Sequence, residues 1–321
     1  MEKNAKIYIA GHRGLVGSAI VRSLHVAGYE NIITRTHAEL DLTDQPAVKS
    51  FFSLEKPDYV FLAAARVGGI GANSAYPAQF IYQNMMIGFN VVHAAHENNV
   101  KKLLNLGSSC IYPKTAKQPL KEEYLLSGSL EPTNEAYAIA KIAVIKLCSY
   151  YNKQYGTNFI SAMPSNLYGP GDNYDLENSH VLPAMIRKFH EAKTSGTDKV
   201  SLWGDGSVRR EFLYSEDLAD AVVFLMQNKN AADIGEFINI GSGMDLTIRK
   251  LAGIIKKLVY ADVPGRTCVI EWDTAKLNGT PQKLLDISRL KNMGWQAKTD
   301  LKNGIEKTYM AFRETAGEIP P

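Results

Sequence analysis

The sequence predicts an α/β protein: a doubly wound parallel sheet joined to a smaller α/β lobe. Three observations lead there. Short apolar runs alternate with longer amphipathic stretches through the first half, a glycine-rich turn follows the first run, and the rhythm breaks near residue 165. Parallel neighbours need a crossover, usually a helix, so this alternation implies parallel strand order. The 321 residues leave room for two units, since an average domain has roughly 150 residues.

The apolar runs are Ile7–Ala10, Ile32–Thr34, Tyr59–Ala63, Leu103–Leu106 and Phe159–Met163. Continuous apolar runs of this length, bounded by polar residues or glycine, read as strands buried on both faces. Helical stretches lie between them. Thr43, Asp44 and Pro46 mark one helix start, and residues 78–98 follow Pro77. A third helix begins at Thr133 and ends near Gly156, with Ala136, Ile139, Ala140, Ala143, Leu147 and Tyr150 on one face.

Beyond Met163, Pro164, Gly169, Pro170, Gly171 and Pro183 interrupt the pattern. Residues 1–165 are read as the dinucleotide-binding domain and 166–321 as the second lobe. A segment near 210–240, ending in the apolar run Phe237–Ile240, is expected to return to the sheet, so the two units interleave. Gly241-Ser242-Gly243 reads as a turn before a helix starting near Thr247.

Composition excludes several classes. Apolar residues make up 45% and charged residues 21%, and the balance of 36 basic and 33 acidic residues gives a net charge of +3. A nucleic-acid binder is usually more basic and more clustered. The uncharged stretch from Val67 to His96 is interrupted by six amide and proline positions, unlike a membrane span of about 20 apolar residues. The chain opens with no basic-then-apolar leader. Three cysteines without a Cys-x-x-Cys pair suggest neither a disulfide framework nor a zinc knuckle. His93 and His96 lack a third ligand at suitable spacing, so no metal is expected. The expectation is a cytoplasmic protein with no nucleic-acid or membrane partner. The uncharged helix 78–96 and the tyrosine-rich helix ending near Tyr151 present apolar stripes, and a homodimer through them is expected.

Directly after the first strand stand Gly11, His12, Arg13, Gly14, Leu15, Val16 and Gly17. In this context the glycines permit a tight turn, close approach of a pyrophosphate, and tight strand–helix packing. The second strand ends at Thr34-Arg35-Thr36-His37, where NAD enzymes carry an acid for the ribose 2′-hydroxyl. Arg35 stands there instead, and Arg13 lies in the loop; two guanidiniums suit a 2′-phosphate, so NADP(H) is expected. Asp41 is a candidate for the adenine edge or a residue preceding a helix cap.

The chemistry centres on three residues. Ser108 lies at the end of the fourth strand, where ligands sit in such sheets. Tyr137 and Lys141 are four apart on one helix, hence on the same face. An ammonium near a phenol is expected to lower the Tyr137 pKa from about 10 toward neutrality, making a proton donor or acceptor for a carbonyl/alcohol pair.

The order of glycine turn, strand-end serine and Tyr-x-x-x-Lys resembles the extended short-chain dehydrogenase/reductases that act on nucleotide sugars. The segments that carry the resemblance are residues 10–18, 63–70, 107–113, 131–141, 166–170, Asn178-Ser179-His180-Val181, and Arg210-Glu211-Phe212-Leu213. It spans nearly the whole chain. The resemblance implies a Rossmann sheet, NADP(H), and a branch of the family that epimerises GDP-4-keto-6-deoxy-D-mannose at C3″ and C5″ and then reduces C4″. By the same resemblance Cys110 is the base and His180 the acid. Along the cofactor, the implied set adds Leu42, Leu106, Gly107, Pro164, Ser165, Asn166, Leu167, His37 and His180 to the glycine loop, Ser108 and Lys141. For the GDP moiety it points to Lys188, Trp203, Arg210, Asn278 and Lys283. Lys188 departs from the family's frequent arginine, and Asn278 stands where an acid can occur. The rival readings are a nucleotide-sugar 4-epimerase or 4,6-dehydratase, and a non-catalytic NADP-binding module. Ser109-Cys110 in place of an acid pair, and Arg35 in place of an acid, weigh against the first.

Overall fold

The structure, a computed structural model, describes residues 1–176, 179–276 and 279–316. In chain order the first half comprises β1 (Ile7–Ala10), α1 (Leu15–Val26), β2 (Ile32–Thr34), α2 (Gln45–Glu55), β3 (Tyr59–Leu62), α3 (Ile70–Ala75), α4 (Pro77–Glu97), β4 (Lys102–Leu106), α5 (Glu135–Tyr155) and β5 (Phe159–Pro164). The second half comprises β6 (Asn166–Tyr168), α6 (Val181–Ser195), β7 (Lys199–Trp203), β8 (Arg209–Tyr214), α7 (Ser215–Asn228), α8 (Ala231–Ile234), β9 (Ile238–Ile240), β10 (Asp245–Thr247), α9 (Ile248–Val259), β11 (Val269–Asp273), β12 (Gln282–Lys283), α10 (Ser288–Asn292) and α11 (Leu301–Thr315).

Six strands form one parallel sheet in the order β2-β1-β3-β4-β5-β9. The uninterrupted apolar runs have a direct cause. On β1, Ile7 and Ile9 enter a core with α1 and α7, whereas Tyr8 and Ala10 enter the opposite core with α2, α4 and α5. Both faces are covered, so no position along β1, β3, β4 or β5 is polar for solvent's sake. Asp44 caps α2 by accepting from the Ala47 amide at 3.0 Å, with Pro46 in the first turn.

Helices α4 and α5 approach closely because Gly88 has no side chain: a Cβ there would lie 2.2 Å from Val144 Cγ2. Of the apolar stripe along α5, Ala140 is buried and Ala136, Ala143 and Leu147 are half-buried. Ala138, Lys141, Ile142, Ile145 and Cys148 are buried, while Ile139 is 38% and Tyr150 60% exposed. The buried face tolerates a lysine because Lys141 Nζ finds a carbonyl acceptor.

The second half builds its own core. Leu182, Ile186 and Phe189 of α6 pack with Leu251 and Ile255 of α9 and with Ile305 of α11. They cover a short sheet ordered β10-β8-β12, with β6 also paired to β8, and a separate β11-β7 pair. The chain then recrosses: α7 packs on α1, with Arg22 bonded to Glu216, and β9 joins the edge of the six-stranded sheet. At this junction Glu211 is fully buried. Its Oε1 accepts from the Gly243 amide at 2.7 Å and its Oε2 from the Leu285 amide at 2.8 Å. The Gly241-Ser242-Gly243 turn thus wraps a carboxylate, and a Cβ on Gly241 would sit 2.2 Å from Glu211 Oε1. Among the described residues no helix is long and apolar enough to cross a membrane.

Candidate active site

The glycine loop is sterically determined. Gly11 has φ +87°, and a Cβ there would lie 2.8 Å from the Ala64 backbone; one on Gly17 would lie 2.1 Å from the Gly11 carbonyl oxygen. The loop leads into α1 at Gly14 without a side-chain cap, so the first-turn amides remain available to an anion. From here a cleft of about 880 Å³ runs along the carboxyl ends of the strands. It passes Arg13, Arg35, His37, Asp41 and Leu42, then Leu106, Gly107, Ser108, Tyr137 and Lys141, and ends at Pro164–Leu167 and His180. Of the expected cofactor residues only His12 is not on its wall.

Arg35 lines the cleft, but its Nη2 is paired with Glu55 at 2.6 Å. Asp41 Oδ1 accepts from the Thr43 amide at 2.9 Å and its hydroxyl at 2.8 Å, which is the turn before the α2 cap. Dimensions, glycine cradle and basic groups fit a dinucleotide phosphate. The buried Ser165 Oγ and Asp172 Oδ2, on the same wall, take no hydrogen-bond partner among the described residues. Gly17→Ala is expected to push the Gly11 carbonyl into this space. Overpacking costs of 1–3 kcal/mol translate to NADPH binding weakened roughly 10- to 100-fold, read by fluorescence titration.

A second cavity of about 320 Å³ opens between the lobes and meets the first at Ser108, Ser109, Tyr137, Asn166, Ser179 and His180. Cys110, Lys188, Trp203, Arg210 and Lys283 line it as well. The structure thus brings together every expected catalytic residue and four of the five expected GDP contacts; Asn278 lies outside the described residues. Lys188 Nζ donates to the Ser201 carbonyl at 2.9 Å. Glu131, Thr133, Asn134 and Asn73 also line the cavity and were not singled out as site residues from the sequence. Glu131 pairs with Lys114 at 3.0 Å. Asn73 Oδ1 and Asn134 Oδ1 are buried without hydrogen-bond partners among the described residues, as befits atoms that face a polar ligand.

The electrostatics correct one expectation. Lys141 does not pull the Tyr137 phenol down. Its Nζ donates to the Leu106 carbonyl at 2.8 Å and lies 5.7 Å from the tyrosine ring centre. Burial, with the Cys110 thiol second, pushes the phenol above its ordinary range, against an opposing hydrogen bond from Ser108. Burial also lowers Lys141 to about 8. Tyr137 therefore holds its proton and is suited to donate it. Cys110 is pushed up by burial, opposed first by the charge of Lys283 and then by Ser108. His180 has ring surface open to the cavity, yet the walls around it push its pKa down. Burial lowers Arg210 to about 10, with Glu131 opposing.

A parallel doubly wound sheet with a glycine loop and a Ser–Tyr–Lys cluster at its strand ends defines a nicotinamide-dependent oxidoreductase of the short-chain type. The chain belongs to the NAD dependent epimerase/dehydratase family, which it matches over residues 7–241. It is 57% identical over 308 residues to GDP-L-fucose synthase 1 of Arabidopsis thaliana, covering 96% of this chain and 93% of the relative. It is 52% identical over 315 residues to GDP-L-fucose synthase of Escherichia coli (strain K12), covering 96% and 97%. Among solved structures, a GDP-mannoheptose C4 reductase from Campylobacter jejuni with NADP bound superposes with a TM-score of 0.89. That match has 43% identity and covers 98% of this chain and 99% of the other.

Proposed function

We propose that this enzyme converts GDP-4-keto-6-deoxy-D-mannose to GDP-L-fucose with NADPH, inverting C3″ and C5″ before reducing C4″. The observation that carries the reading is that Ser108, Cys110, Tyr137 and His180 line one cavity, beside the wider cleft. Its support from relatives is high identity to GDP-L-fucose synthases along nearly the whole chain.

Hydrogens alpha to a ketone become acidic when donors hold the developing oxyanion. Tyr137 and Ser108 donate to the C4″ oxygen. Cys110 takes the alpha hydrogen from one face and His180 returns one from the other, which inverts the centre. Bound in the larger cleft, NADPH supplies the hydride for C4″. Tyr137, still protonated, gives its proton to the resulting alkoxide, and Lys141 holds the ribose and the tyrosine's position. Arg13, together with Arg35, whose guanidinium is also bonded to the Thr34 carbonyl and Glu55, receives the 2′-phosphate; Arg210, Lys188 and Lys283 offset the diphosphate charge, and Trp203, 52% exposed, offers a stacking face. Exposed Tyr82, Phe89 and Tyr150 on α4 and α5 support a homodimer through those helices. Three unbridged cysteines suit a cytoplasmic setting.

Incubation of the keto-sugar and NADPH in heavy water tests the reading. Deuterium at both C3″ and C5″ with loss of NADPH absorbance is the expected result; reduction without exchange defeats it. Cys110→Ser should slow exchange at the carbon it serves by about 100-fold or more, with NADPH affinity unchanged. Wild-type exchange at both carbons in that variant removes Cys110 as base.

A further inference from the structure

We propose that Lys283 is a positioning residue for Cys110: the two side chains line the same substrate cavity and the same small void behind it, and the lysine's ammonium eases loss of the thiol proton so that the sulfur can take a hydrogen from the sugar. This rests on Cys110 serving as base in the reaction above, and adds a role to Lys283 beyond the diphosphate.

The segment following Cys110 is stitched to β12 on both sides of Lys283. Gln118 Nε2 donates to the Gln282 carbonyl at 3.2 Å, the Leu284 amide donates to Gln118 Oε1 at 2.9 Å, and the Leu120 amide donates to the Leu284 carbonyl at 2.7 Å. Behind the substrate cavity, Cys110, Glu131, Thr280 and Lys283 line a void of only about 10 Å³. Cys110 and Lys283 thus share a wall here as well as in the substrate cavity.

Other charges act on the pair as well, Glu131 favouring the Lys283 ammonium. Lys283 Nζ makes no hydrogen bond or ion pair among the described residues, while Glu131 is already paired with Lys114. From α5, Lys141 also favours the thiolate but less than Lys283, and Tyr137 couples to the same sulfur. Arg210, opposite Lys283 in the β8–β12 register, opposes the lysine's charge and is not among the groups acting on the thiol. His180 faces the same cavity from the start of α6. Burial still holds the thiol above its ordinary range, and the Lys283 charge is the largest influence against it.

The step balances simply. The Cys110 S–H bond breaks with its proton released to solvent, leaving thiolate beside ammonium. The thiolate then takes the alpha hydrogen, an S–H bond forming as C–H breaks, and the electron pair moves to the C4″ oxygen.

The test is the pH dependence of Cys110 alkylation by iodoacetamide, without substrate, followed by peptide mass spectrometry. In Lys283→Gln the midpoint should rise by about one pH unit or more, as expected on losing a nearby opposite charge. Lys283→Met substitutes if the glutamine protein does not fold, and Lys283→Arg should stay near wild type. Arg210→Gln should weaken GDP binding in calorimetry without moving the midpoint. An unmoved midpoint in Lys283→Gln or Lys283→Met, with weaker GDP binding, overturns the inference and leaves the lysine a diphosphate contact. The proposed reaction fails separately, through absent deuterium incorporation by wild type.

Discussion

Tyr137→Phe should lower kcat for NADPH-dependent reduction by roughly 10²- to 10⁴-fold, the range for losing a positioned general acid. The ring keeps its edge contact with Phe80, whose centre lies 6.3 Å away, so the melting temperature should barely move. The size of the loss follows from the electrostatics. A phenol raised by burial carries its proton across the whole working range, and in the proposed reaction it is the group that donates to the C4″ oxygen. Ser108 accepts from the Cys110 amide at 3.4 Å and has a hydroxyl whose ordinary acidity is far too low. Wild-type reduction should fall at high pH as Lys141, lowered to about 8, loses its charge. That limb should persist in the residual activity of Tyr137→Phe, because it belongs to the lysine. Stopped-flow loss of NADPH absorbance between pH 6 and 10 measures both. A variant within threefold of wild type would mean that another group protonates the C4″ oxygen.

The sheet was legible because strands buried on two faces leave continuous apolar runs, and the glycine loop because its spacing follows from sterics at Gly11 and Gly17. Ser108, Tyr137 and Lys141 were legible as an ordered set, and Cys110 and His180 through family resemblance. What escaped depends on partners far away in sequence. The buried face of α5 contains Lys141, whose acceptor is the Leu106 carbonyl on β4, a partner that no apolar stripe reveals. The influence of that lysine on Tyr137 was misjudged for the same reason: spacing four apart shows a shared face, but not where the ammonium is spent. Glu131, Asn73 and Asn134 carry no periodic signature, and their place on the cavity wall comes only from the fold. The Gly241-Ser242-Gly243 turn was read correctly as a turn, yet its need for small residues comes from Glu211, about thirty positions earlier.

Glu211→Gln should destabilise the protein at pH 8 by about 1–3 kcal/mol, the cost of leaving one buried backbone donor unsatisfied. Both carboxylate oxygens accept amide protons, from Gly243 and Leu285, so an amide must point its own N–H₂ at one of those donors. The turn leaves no room for relief, since Gly241 already approaches Oε1 as closely as a residue without Cβ permits. A second effect depends on pH. Burial raises Glu211 from 4.5 to about 7, against the hydrogen bonds that favour its charge. A folded-state pKa above the unfolded one means that the native protein binds a proton which the unfolded chain has released. Its contribution to stability therefore falls as pH rises from 4.5 to about 7. The glutamine variant lacks this titration, so wild type should gain up to about 3 kcal/mol relative to it on acidification from pH 8 to 5. Urea melts of both proteins at the two pH values give the difference directly. A gap that stays constant with pH would show that Glu211 titrates as in an open chain, and equal stability at pH 8 would show that the junction between the lobes does not depend on its two amide bonds.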